Sequence, residues 1–294
     1  MSRTGSRKSG RPDGAPVSGG ERIVRANGVD LCVETFGDAG DEAVLLIHGA
    51  CASMLWWERE LCEAIASHRR FVIRFDNRDT GRSTYYPPGA PAYSLSDMAR
   101  DAIGILDALD VPSAHVVGRS MAGGIALVLG VDHSERVKSL TFLTTTPGGD
   151  DLPPMSDEFL AETTRQPNLS DSEQLVDYIV SVLRAYSGGS PYFDEPATRA
   201  LAHQDVARTL SMASALQNHF AIEIDGPATG GFGDIVAPTL VVHGERDPVF
   251  PLAHGEALRD AVPGSELLVL PEAGHELPRA LWQRFISAML RLSP

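Results

Sequence analysis

The chain has 294 residues, 43% hydrophobic and 22% charged, a length and composition suited to one sizeable α/β domain carrying an insertion. Its net charge is −14, and because the first 22 residues carry an excess of three positive charges, the remainder holds about −17. That balance argues against nucleic acid or an anionic membrane as partner of the folded body, and no apolar run has the length to span a bilayer. Residues 1–21 are basic and rich in Gly, Ser and Pro without an apolar stretch. They are expected to be a disordered tail, not a secretory signal. Cys32, Cys51 and Cys62 form no metal-ligand or redox spacing and read as free thiols of a cytoplasmic protein.

Residues 22–25 and 31–36 are expected to pair as a hairpin around Asn27-Gly28. A buried strand follows at 43–47, then helical spacing over 54–68 with Leu55, Leu61 and Ile65 on one side. The pattern predicts a strand at 71–75 and a helix at 96–109 capped by Ser96. Strands at 114–117 and 137–145 enclose a helix-like run. At Thr146-Pro147-Gly148-Gly149-Asp150 the alternation stops, and to about 234 there are Pro/Gly loops and helical segments, chiefly 175–186 and 200–222. It resumes with a strand at 238–243, a helix at 252–262, a strand at 266–270 and a terminal helix at 277–292. This rhythm predicts a mostly parallel eight-stranded sheet with helices on both faces, its core formed by 22–146 and 235–294. The segment 147–234, inserted after the sixth strand, is expected to form a helical lid.

Gly118-Arg119-Ser120-Met121-Ala122-Gly123 joins a strand to a helix through a tight turn of small residues with a serine at its apex, the layout of a nucleophile elbow. The serine must sit on a sharp turn to project its hydroxyl, and Gly118 and Ala122 are small enough for strand and helix to pass closely. Ala122 stands where glycine is usual. A serine hydroxyl is a weak nucleophile at neutral pH; it needs a base, and the base needs an orienting acid. Open α/β sheets place such groups in loops at the carboxyl ends of strands. Two loops supply them, Gly244-Glu245-Arg246-Asp247-Pro248 and Pro271-Glu272-Ala273-Gly274-His275. The candidate triad is therefore Ser120, Asp247 and His275, with Asp150 as the alternative acid. His115 and His243 fall inside strands and read as core residues. The N–H groups of Met121, and of Ala50 in His48-Gly49-Ala50-Cys51, are the candidate donors to an oxyanion. His48 precedes a glycine turn and reads as structural. Neither a metal nor a cofactor is expected.

These four motifs, in this order, resemble the α/β-hydrolase superfamily from about residue 22 to 292. Arg74-Phe75-Asp76-Asn77-Arg78-Asp79-Thr80-Gly81-Arg82-Ser83-Thr84, together with Trp56-Trp57 after the oxyanion loop, is similar to the aclacinomycin methylesterase group, enzymes that remove a methyl ester from anthracycline polyketides. The first of these segments is widespread in the superfamily and reads as a hydrogen-bonded structural loop. The resemblance implies a serine hydrolase acting with water on a small-molecule carboxylic ester. A lactonase, C–C bond hydrolase, thioesterase or perhydrolase would use the same triad, and a ligand receptor on this fold is the non-enzymatic alternative. Arg119, Trp57 and His219 are the candidate pocket residues. Arg119 has two readings: a charge aimed at an acidic or carbonyl-rich substrate, or half of an ion pair with a neighbouring carboxylate.

Overall fold

Near-continuous burial along the central strands, with helices packed on either side, builds a sheet covered on both faces. The computed structural model describes residues 19–292, so the expected tail lies outside the described residues except for its last three. Those three are held against the body: Gly19 N–H donates to Thr35 O at 2.9 Å, and the Glu21 carboxylate pairs with Arg208 at 2.7 Å. The hairpin forms from β1 (Arg22–Ala26) and β2 (Val29–Phe36). Its turn residues Asn27 and Gly28 have φ of 43° and 78°, the doubly positive pair that suits the twist of the strands.

Six parallel strands follow in space: β3 (Glu42–Ile47), β4 (Arg70–Phe75), β5 (Ala114–Arg119), β6 (Val137–Leu143), β7 (Thr239–Gly244) and β8 (Glu266–Leu270). The sheet order is β1-β2-β4-β3-β5-β6-β7-β8, with only β1 and β2 antiparallel to their neighbours. Leu45 and Val116 point to one face, beneath α2 (Leu95–Ala108), α3 (Ala122–Asp132) and α8 (Ala253–Ala261). Leu46 and Val117, one residue on in each strand, point to the other, beneath α1 (Arg59–Ala66) and α9 (Trp282–Arg291). Between β6 and β7 the chain leaves the sheet to form α4 (Asp157–Thr163), α5 (Ser172–Tyr186), α6 (Glu195–Arg208) and α7 (Met212–Gln217). None of the helices among the described residues is long and apolar enough to cross a membrane.

Three expected elements differ in detail, the first and third because a distant polar group intervenes. The helix expected over 54–68 is split into a 3-10 turn, Met54–Trp56, and α1. The buried Arg74 guanidinium, paired with Glu34, draws in the Met54 and Trp57 carbonyls that a continuous helix would have used. The cap of α2 is Ser94, not Ser96. Ser94 Oγ accepts from Asp97 N–H while the Asp97 carboxylate accepts from Ser94 N–H, a reciprocal capping box. Ser96 lies inside the first turn, its hydroxyl donating to Gly226 O. The helix expected over 200–222 is broken after Arg208, whose guanidinium reaches Asp76 at 2.7 Å, and Leu210 N–H then donates to Gly81 O at 2.8 Å. The lid is thereby tied to the loop after β4.

Candidate active site

β5 delivers its last residue, Arg119, to the carboxyl edge of the sheet, and Ser120 turns the chain with φ of 53° before α3 begins. Positive φ in a non-glycine residue is uncommon and costs conformational energy, which the surrounding contacts must offset. Two glycines show how tight the packing is. A Cβ on Gly118 would lie 2.4 Å from Ala122 O, and one on Gly49 would lie 2.8 Å from the Ser120 Cβ. Ala122, fully buried, fits its place with a methyl group. The loop after β3 therefore crosses directly beside the serine. Neither Ala50 N–H nor Met121 N–H donates to a protein acceptor among the described residues.

The loop after β7 supplies Asp247, and the loop after β8 supplies His275. Asp247 Oδ1 accepts from the N–H groups of Val249 and Phe250 at 2.8 and 2.9 Å. Its Oδ2 accepts from His275 Nδ1 at 2.8 Å. Burial alone would raise the Asp247 pKa, but His275 and the Phe250 N–H outweigh it and hold the carboxyl below its ordinary range. An ionised carboxylate only accepts, so His275 carries its proton on Nδ1 and leaves Nε2 as a base. That Nε2 is buried without a hydrogen-bond partner among the described residues, so it is not joined to the Ser120 hydroxyl, although both residues line the same cavity. The imidazole is held between the Tyr186 and Phe250 rings, with centroids 4.9 and 5.6 Å away, and His275 N–H donates to Tyr186 O at 2.9 Å. Asp150 is exposed and does not line the cavity.

Arg119 forms no ion pair with a carboxylate among the described residues, contrary to one of its two readings. Its half-buried guanidinium donates to His48 Nε2 at 3.0 Å and to His275 O at 2.9 Å, bracing the loops after β3 and β8. A guanidinium has no lone pair to offer, so His48 must accept on Nε2. Burial, with Arg119 beside it, holds His48 well below its ordinary value, and the ring is a neutral strut with its edge on Trp57. Trp57 is not a cavity residue. It is 1% exposed and packs between α1 and α9, because successive side chains of the 3-10 turn diverge and Trp56 takes the cavity side. Trp56 Nε1 donates to Asp205 in α6 at 2.8 Å. His219 does border the cavity, but both its ring nitrogens are spent on backbone groups, Cys51 N–H and Arg78 O.

The cavity has a volume of about 790 Å³ and lies between the strand ends and the lid. Tyr178, Ile179, Val182, Leu183 and Tyr186 of α5 line it. Their spacing, i, i+1, i+4, i+5 and i+8, is one stripe of an amphipathic helix, so this wall could have been found from the sequence. Cys51 also lines it, but burial pushes its thiol up to about 12, leaving it protonated and a poor rival to the serine. No cluster of His, Cys, Asp and Glu among the described residues is arranged to hold a metal ion.

Glu276, next to His275, is a cavity residue that the motifs did not single out. Burial pushes its carboxyl up to about 7 against the pull of the Gly274 N–H, Arg119 and Ser190, and its Oε2 has no hydrogen-bond partner. In the unfolded chain the group ionises near pH 4.5, so between there and pH 7 the native state binds more protons and stability falls as pH rises. Glu276→Gln removes that dependence. Its stability relative to wild type, from urea unfolding, should improve by about 3 kcal/mol between pH 4 and pH 8. A difference that does not change with pH would mean the carboxyl ionises normally.

The family model for the alpha/beta hydrolase fold matches residues 42–278, and the chain belongs to that family of hydrolases. More particularly, it is similar to two rhodomycin D methylesterases, DauP from a Streptomyces species and DnrP from Streptomyces peucetius. Each is 30% identical to it over 91% of this chain and 96% of its own length. A 2-hydroxymuconate semialdehyde hydrolase from Pseudomonas putida is 27% identical over 79% of each chain. Among solved structures, the enol-lactonase from Burkholderia xenovorans shares the fold with a TM-score of 0.73 at 19% identity, covering 92% of this chain and 99% of that one.

Proposed function

We propose that the protein is a serine esterase that cleaves the methyl ester of a bulky, largely apolar polyketide-type metabolite. Ser120 attacks the ester carbonyl as His275 Nε2 takes its proton. The oxyanion is received by the Ala50 and Met121 N–H groups. Collapse of the intermediate breaks the acyl–oxygen bond, and the imidazolium returns the proton to the leaving methoxide as methanol departs. Water, deprotonated by the same imidazole, then attacks the acyl-enzyme and releases the carboxylic acid and Ser120. Asp247 fixes the tautomer and stabilises the imidazolium.

One observation carries the reading: His275, held by Asp247 and with a bare Nε2, and the elbow serine both face one large cavity roofed by apolar lid residues. Small-molecule sites run to roughly 300–1,000 Å³, and this one lies in the upper half of that range. The similarity to rhodomycin D methylesterases supports a methyl ester as the scissile group. The test pairs a fluorophosphonate probe with a panel of methyl esters, lactones, thioesters and 1,3-diketones. The probe should label Ser120. Methyl esters of fused-ring acids should exceed methyl acetate in kcat/KM by at least about tenfold, the scale of discrimination an apolar pocket supplies. Faster turnover of 1,3-diketones would replace the ester with a C–C bond, and an unlabelled Ser120 would remove the serine mechanism.

A further inference from the structure

His219 sits in the lid, in a 3-10 turn, Asn218–Phe220, immediately after α7. It is 2% exposed. Its Nδ1 lies 3.1 Å from Cys51 N and its Nε2 lies 2.8 Å from Arg78 O. A backbone N–H only donates and a carbonyl only accepts, so a single tautomer satisfies both: proton on Nε2, lone pair on Nδ1. Burial holds the imidazole below its ordinary value against the pull of the Arg78 carbonyl and Asp79, in keeping with a neutral ring. No polar atom of the ring is left for a ligand.

The group it holds is unusual. Cys51 has φ of 65°, a left-handed conformation that non-glycine residues rarely adopt. It directly follows Ala50, whose N–H is one of the two proposed oxyanion donors. The Cys51 N–H belongs to the peptide that leaves Ala50. Fixing that peptide therefore fixes ψ of Ala50, and with it the approach of the Gly49–Ala50 peptide to Ser120. The other end of the bridge is rigid. The Arg78 guanidinium is bidentate on Asp101 at 2.6 and 2.7 Å, both side chains being buried. Beside His219, Asn218 accepts from Gly89 N–H at 2.7 Å and donates to Tyr86 O and Pro87 O. The lid is thus latched onto the loop after β4, and from that latch one side chain reaches the strained residue beside Ala50.

We infer that His219 is a positioning residue: through the Cys51 N–H it sets the geometry of the oxyanion loop from the lid. The inference rests on the proposed role of Ala50. It separates His219 from the substrate-binding residues, because its effect belongs to the transition state and not to ground-state binding.

The test uses two amide substitutions that divide the two hydrogen bonds. His219→Asn keeps an acceptor where Nδ1 stood; His219→Gln withdraws it and keeps a donor for Arg78 O. With p-nitrophenyl acetate, His219→Gln should lose about 10- to 100-fold in kcat, less than removal of a whole donor costs, with KM changed by less than about twofold. Inhibition by phenylboronic acid, which forms a tetrahedral adduct on the serine, should weaken in parallel. His219→Asn should stay within about threefold of wild type on both measures. An unchanged kcat in His219→Gln, a rise in KM alone, equal losses in the two variants, or a kcat loss with unchanged boronate affinity would each overturn the inference. Phosphonate labelling of the wild-type enzyme keeps the two levels apart: failure to label Ser120 defeats the underlying mechanism, whereas labelling with any of those four outcomes defeats only the role of His219.

Discussion

Ser120→Ala should lower kcat for a simple aryl ester by about 10⁶-fold, leaving only the residual rate that binding and the oxyanion donors sustain without a nucleophile. The size follows from how the groups act together. In the proposed mechanism the imidazole has nothing to deprotonate for attack once the hydroxyl is gone, and the two proposed N–H donors then stabilise only the slow attack of water. The substitution should leave the fold intact. The backbone bonds at this turn, Ser120 N–H to Leu143 O at 3.0 Å and Gly123 N–H to Ser120 O at 2.8 Å, are kept by alanine. So is the bond from Thr145 Oγ1 to Ser120 O at 2.7 Å. Alanine also inherits the positive φ without a larger side chain to strain it. A thermal midpoint near that of wild type with abolished turnover is the expected pair of results. Turnover that survives in this variant would show that another group, not Ser120, is acylated.

Which features could be read from the sequence depended on the range of the forces that set them. The hairpin around Asn27-Gly28 and the strand at 266–270 are fixed by neighbouring residues, and they lie where the local pattern places them. The positions of Ser120, Asp247 and His275 are legible for a topological reason. A short loop after a buried strand can only lie at the sheet's carboxyl edge, and β5, β7 and β8 end within one four-strand stretch of the sheet. The surroundings of these residues are different. Arg119 donates to His48 and to the His275 carbonyl, 156 residues away in the chain, and no spacing rule connects the three. Trp56 and Trp57 are indistinguishable by type. What separates them is the buried Arg74, which gathers the Trp57 carbonyl and ends the turn there. The Ser94 cap is a local feature, since Asp97 stands three residues on as its reciprocal partner, which Ser96 lacks. The His219 bridge spans 168 residues from Cys51, and only the folded lid brings its ends together.

Asp247→Asn should reduce kcat by about 10⁴-fold while leaving the site's shape almost unchanged. Asparagine is isosteric, and its Oδ1 can still accept from the Val249 and Phe250 N–H groups. Its amide nitrogen then faces His275 Nδ1, where two donors would confront each other. The imidazole escapes by moving its proton to Nε2, the atom that accepts from Ser120 in the proposed mechanism. The loss should therefore fall in kcat with little change in KM, unlike a loss from misfolding or a damaged pocket. Stability supplies a second signature. The carboxylate is held below its ordinary range, so its contribution is present above about pH 4 and is lost as pH falls through the lower folded value. The deficit of Asp247→Asn in unfolding free energy should accordingly narrow on acidification. Asp150→Asn alters an exposed carboxylate outside the cavity and should leave both kcat and this pH dependence at wild-type values. If the large loss appears in Asp150→Asn instead, the acid lies in the loop after β6, and the tautomer argument for His275 fails with it.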